Sequence, residues 1–140
     1  AAESAKFKLV FGPQLGIIPD VGSSWFVPRL IGRARANGMG LLGDDIMAKE
    51  AKEWGLIWDY FPDDKFMEGV SDLAERIAKG PIVGLKAVVK AYDHALSTTL
   101  EKQLDYERDT QEIFLDREEF REGVKAFIEK RKPDFKSLKT

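Results

Sequence analysis

The chain has 140 residues, 44% of them hydrophobic, a length and composition that support one folded domain and exclude general disorder. Lys and Arg number 22 against 24 Asp and Glu, and the net charge of −2 provides no general attraction to nucleic acid or to an anionic membrane. Cysteine is absent, which removes disulfides, thiolate nucleophiles and cysteine metal sites, and no apolar run approaches the roughly 18 residues needed to cross a bilayer.

Ala1 to Phe7 has no basic region followed by an apolar stretch, so it is read as no signal peptide, and a cytoplasmic protein is the expectation. Phe7 to Phe11 reads as a short extended run, followed by a turn at Pro13–Gly16. A helix is predicted over Ser24 to Ile31, with Pro28 tolerated through nearness to the first turn and Gly32 as the stop. Arg33 to Leu42 reads as a second helix. Gly38 and Gly40 each cost it about 1 kcal/mol against Ala, which predicts a frayed or tightly packed element.

Ala48 to Trp54 is a short helix closed by Gly55, and Leu56 to Phe61 has the alternation of a strand. Pro62-Asp-Asp64 opens a helix with Phe66, Val70, Leu73, Ala74 and Ile77 at helical spacing. Gly80-Pro81 separates it from another, whose buried stripe is Ile82, Leu85, Val89, Tyr92 and Leu96. Thr98 to Glu101 matches a capping box before a charged helix with Leu100, Leu104 and Phe114. Asp116 to Glu119 resembles a second box, opening a helix with Phe120, Val124, Phe127 and Ile128 on one face. The expected fold class is mainly α with one or two short strands, and residues 1–140 read as a single unit.

Few groups suggest chemistry. The one histidine, His94, lies in a helical stretch and reads as a surface or partly packed side chain. Neither a His-based triad nor a metal site is expected. Gly38-Met-Gly40 and Gly43 lack the preceding strand and the spacing of a phosphate loop. The informative group is Asp20, set in a turn between an apolar run and a helix start. Pro19 extends Ile18, Gly22 permits a sharp change of direction, and Ser23 or Ser24 can cap the helix. Free N–H groups there favour a nearby anion, so Asp20 is a candidate proton-transfer group; an ordinary capping turn is the alternative. Trp25 and Phe26 either line a pocket or belong to the core. The basic run Lys125 to Lys136 reads as a solvated face, its cations favourable to the helix dipole.

The segment Leu15-Gly-Ile-Ile-Pro-Asp-Val-Gly-Ser-Ser-Trp-Phe-Val-Pro-Arg-Leu-Ile-Gly32 resembles the helix-entry signature of the enoyl-CoA hydratase/isomerase (crotonase) superfamily. Ala48-Lys-Glu-Ala-Lys-Glu-Trp-Gly-Leu-Ile57 and Arg121-Glu-Gly-Val-Lys-Ala-Phe-Ile-Glu-Lys-Arg-Lys-Pro-Asp-Phe135 resemble two later blocks of it, in order. The wording is nearest the ring-1,2-epoxyphenylacetyl-CoA isomerase branch. The resemblance implies the C-terminal helical half of a crotonase-like ββα spiral fold, with 1–61 as the end of the spiral core and 62–140 as a helical oligomerisation region.

It further implies an acyl-CoA isomerase of phenylacetate catabolism, with Asp20 as base, an enolate-type intermediate, and Gly22, Trp25 and Phe26 at the substrate. Phe127 and Lys130 would contact the CoA of a neighbouring subunit. Coenzyme A enters as part of the substrate, and no separate cofactor or metal is implied. The oxyanion-hole loops lie in the family's first half, so the isolated chain is expected to be inactive. A trimer or hexamer is implied for the intact protein, and a dimer or higher for this part alone. Enoyl-CoA hydratase and dienoyl-CoA isomerase are the alternative activities, and a non-catalytic assembly module is the alternative class. Hydratases carry a glutamate just before the Leu-Gly pair, where Val10-Phe-Gly-Pro-Gln-Leu-Gly16 has no carboxylate.

Overall fold

A computed structural model describes residues 1–138 and is mainly α, with eight α-helices and two short strands among those residues. Two compact units are distinguished, Ala1–Ser71 and Asp72–Thr140.

In the first unit, β1 (Lys6–Phe7) pairs antiparallel with β2 (Ile46–Met47), placing Lys6 opposite Met47 and Phe7 opposite Ile46. Asp45 at the mouth of this pair lies 2.9 Å from Lys6 Nζ and 3.2 Å from Lys8 Nζ. Hydrogen bonds from the two ammonium groups hold its carboxyl below the ordinary value. Four helices follow the same unit: α1 (Phe11–Leu15), α2 (Ser23–Ile31), α3 (Arg33–Leu42) and α4 (Ala48–Trp54). The core is small, built on Ile31, Met39, Ile46 and Ala51, with Phe7, Leu9, Val27 and Trp54 packed against it. Ala48 and Ala51 are wholly buried, so α4 presents its smallest side chains to the core.

Several local expectations need correction. Helix α1 forms where an extended run and turn were predicted, and Gly16 closes it at φ 66°. Pro28 lies well past the first turn of α2, with the Arg29 guanidinium donating to the Trp25 carbonyl at 3.0 Å. Helix α3 is intact, and a methyl on Gly38 or Gly40 would meet nothing within 4 Å. The close approach instead belongs to Gly12, where a Cβ would stand 2.8 Å from the Gly40 carbonyl oxygen.

Leu56 to Phe61 is not a strand. The N–H groups of Leu56 and Ile57 donate to the Ala51 carbonyl, wrapping the chain over the end of α4 beyond Gly55 (φ 80°). Only Phe61 makes a bridge, in parallel to Ala2. Trp58 is 84% exposed rather than packed.

A 3₁₀ turn at Asp63–Lys65 leads into α5 (Phe66–Ala78), which runs through the boundary between the units. The second unit continues with α6 (Ile82–Ala95), α7 (Leu100–Leu115) and α8 (Glu118–Ile128). The cap of α7 is Thr99, accepting from the Lys102 N–H at 3.4 Å, one residue past the Thr98–Glu101 box the sequence suggested. Arg117 caps α8 without a side-chain bond, and its guanidinium instead pairs with Glu119. The helices fall where periodicity placed them, but their apolar stripes stay open: Val89 is 60%, Tyr92 69% and Leu96 55% exposed. Gln103 and Ala126 are the buried residues among those described in this unit.

Candidate functional site

The turn before α2 is built from two successive left-handed residues, Val21 at φ 51° and Gly22 at φ 80°. Glycine takes this conformation freely, while a β-branched valine pays about 1–2 kcal/mol for it, so the surrounding structure must hold the turn. The hold is visible at Asp20, whose carbonyl accepts the Ser23 N–H at 2.9 Å and the Ser23 hydroxyl. Gly22 begins the helix, with its carbonyl accepting from Trp25 and Phe26. Neither Ser23 nor Ser24 caps α2 by its side chain, which corrects the expected role of the serines. Backbone bonding therefore fixes the turn, and the exposed Asp20 carboxylate has no part in holding it.

Beside this turn lies an open groove of about 330 Å³, bordered by Ile17, Ile18, Pro19, Val27 and Leu41, with Ser23, Ser24 and Asn37 as its polar side chains. Asp20 sits in the chain between two of the bordering residues. Trp25 and Phe26 do not border the groove. Residues 23, 24, 27 and 28 share one side of α2 by helical spacing, and 25, 26, 29 and 30 the other. Trp25 carries the Arg29 guanidinium 3.2 Å over its ring, and Phe26 lies against Gly22, where a Cβ would approach the ring at 3.0 Å. Both rings remain about half exposed.

Phe127 and Lys130 belong to the second unit and lie at the end of α8. Phe127 is 84% exposed. Lys130 turns left-handed at φ 52° just past the helix, and its N–H donates to the Phe127 carbonyl at 3.2 Å. Periodicity gave no sign of what holds this turn. Arg131 returns to Glu122, nine residues earlier, with Nη1 and Nη2 at 2.6 and 3.0 Å from the two carboxylate oxygens. Glu122 also accepts the Asp134 N–H at 2.7 Å, and these bonds hold its carboxyl down at about 2.

A second feature missed in the sequence joins α6 to α7. His94 stacks on Tyr106 with ring centres 4.5 Å apart, and its Nδ1 lies 2.7 Å from Gln103 Oε1. Gln103 Nε2 donates to the Ala91 carbonyl and to Glu107. Both of those partners only accept, so Gln103 Oε1 is the acceptor and His94 Nδ1 carries the proton. This is a packing role, as expected for His94. Among the described residues no group of three or more His, Asp or Glu is placed to hold a metal ion, and no helix is long and apolar enough to cross a membrane.

The family sequence model described as Enoyl-CoA hydratase/isomerase matches residues 1–138. The chain belongs to this family. It is 44% identical over 135 residues to a 1,2-epoxyphenylacetyl-CoA isomerase of Escherichia coli, covering 96% of this chain and 51% of the relative. A 2,3-dehydroadipyl-CoA hydratase of the same organism is 35% identical over 97% of this chain and 53% of its own length. Among solved structures, an enoyl-CoA hydratase from Bacillus anthracis superposes with a TM-score of 0.89 at 34% identity, over 99% of this chain and 53% of that one. The chain thus spans about half the length of the curated relatives it matches, and its helices are the helical part of a crotonase-like fold.

Proposed function

We propose that this chain is the C-terminal part of an acyl-CoA isomerase that shifts a proton on a CoA thioester through an enolate-type intermediate. The observation that carries the reading is Asp20, an exposed carboxylate on a backbone-locked turn whose flanking residues, Pro19 and Ser23, border an apolar groove. A carboxylate so placed can remove a proton next to a thioester carbonyl and return it to another carbon. Backbone N–H groups would have to stabilise the enolate oxygen, and in this reading they come from the other half of the intact enzyme. The strained Val21 and the left-handed Gly22 aim the base.

An aromatic-derived substrate of phenylacetate catabolism is favoured by the name of the 44% identical relative. Trp25 and Phe26 reach such a substrate in this reading only from the side of α2 away from the groove, where they would meet it together with the other half of the intact enzyme. Phe127 and Lys130 take the CoA of a neighbouring subunit, with the ring against its adenine or pantetheine and the ammonium on a phosphate. The intact protein is a homo-oligomer, trimer or hexamer, and the isolated chain is inactive.

A hydratase is the second reading, favoured by the 35% identical relative. The lack of any carboxylate from Val10 to Gly16 weighs against it. The test is Asp20→Asn in the intact protein. Loss of isomerase turnover by at least about a hundredfold, with CoA-ester binding retained, is the expected result for a general base. Normal turnover in that variant sinks the assignment.

A further inference from the structure

Lys130 adopts a backbone conformation that a residue with a Cβ keeps only when its neighbours impose it. Three contacts impose it here. The Arg131 N–H donates back to the carbonyl of the buried Ala126 at 3.0 Å. The Arg131 guanidinium grips Glu122 through two parallel bonds and reaches Glu129 through Nε at 2.6 Å. Glu122 then accepts the Asp134 N–H, so one carboxylate on α8 ties down the chain at two points beyond the turn. The Glu122 side chain is only 13% exposed, which favours a lasting pair over a solvated one.

The clasp has a second effect. Glu129, beside Lys130 in the chain, and Glu122 are both engaged by Arg131, and the Asp134 carboxylate accepts the Ser137 N–H. Lys130 is left without a carboxylate partner among the described residues, on the same exposed end of α8 as the Phe127 ring. We propose that Glu122, acting through Arg131, is a positioning residue that presents Phe127 and Lys130 together to a phosphate-bearing nucleotide. This inference rests on the reading of these two residues as CoA contacts. Glu122 itself touches no ligand. Its work is to set the direction of the Lys130 side chain and to keep acidic groups from neutralising it.

The experiment is calorimetric titration of the intact protein with coenzyme A, and with pantetheine, which lacks the phosphates. Lys130→Ala should weaken coenzyme A and spare pantetheine. Glu122→Gln should do the same, by about tenfold. Arg131→Gln, which breaks the same pair from the other side, should give the same selective loss.

No binding by the unsubstituted intact protein, or none of the expected loss in Lys130→Ala, overturns the CoA reading and this inference with it. A loss in Lys130→Ala but none in Glu122→Gln overturns the positioning role alone. Equal weakening of both ligands in Glu122→Gln also overturns it, since a merely structural role gives that pattern. Should Glu122→Gln fail to fold by circular dichroism, Arg131→Gln decides: a loss confined to coenzyme A supports the role, and no loss or an equal loss of both ligands refutes it.

Discussion

Replacing Gly12 with alanine sets a methyl carbon 2.8 Å from the Gly40 carbonyl oxygen, and backbone lies on both sides of that contact. Neither α1 nor α3 can yield by turning a side chain, so one helix must move. Overpacking of this kind costs about 1–3 kcal/mol, offset by up to about 1 kcal/mol of better helix preference. The net expectation is about 1–2 kcal/mol of destabilisation. Gly38→Ala is the matched control: it lies inside α3, its new methyl meets nothing within 4 Å, and it should stabilise by about 0.5–1 kcal/mol.

Urea denaturation followed by tryptophan fluorescence suits the test, because Trp25, Trp54 and Trp58 all lie in the first unit. With a slope of about 1–3 kcal/mol per molar urea, the two midpoints should differ by roughly 0.5–3 M. Coincident midpoints, or a Gly12→Ala variant more stable than Gly38→Ala, would refute the close crossing of α1 and α3.

Two further outcomes follow from the second unit. Gln103→Leu strips the partner from His94 Nδ1 and from the Ala91 carbonyl, and should cost about 1–3 kcal/mol. Near-ultraviolet circular dichroism should weaken as Tyr106 loosens from His94, and an unchanged spectrum and melting temperature would contradict the account. Acid should open the Glu122 clasp. The carboxyl sits near 2 in the fold against an ordinary value of 4.5, so its stabilisation is present above about pH 4.5 and is lost as pH falls towards 2. Acid unfolding of the unsubstituted chain and Glu122→Gln should therefore converge at low pH. A gap between them that persists at pH 2 would contradict the assignment.

What the linear chain determined by itself was local and periodic. Glycines and prolines marked the ends of α2, α4 and α5, apolar spacing marked α5, α6 and α8, and three ordered motifs carried the family. The turn that carries Asp20 was legible for the same reason, since Pro19 and Gly22 act on their immediate neighbours. Tertiary structure decided what depends on partners distant in sequence. The strand expected at Leu56 to Phe61 was lost because Leu56 and Ile57 found the Ala51 carbonyl first. The glycine that matters for packing proved to be Gly12, whose constraint comes from an oxygen on another helix. Groove and ring faces parted on α2 because four residues of one turn cannot all look the same way. Pairs such as Glu122 with Arg131 leave no trace in periodicity, because a side chain reaching back past a helix end obeys distance and charge rather than the spacing of residues along the helix.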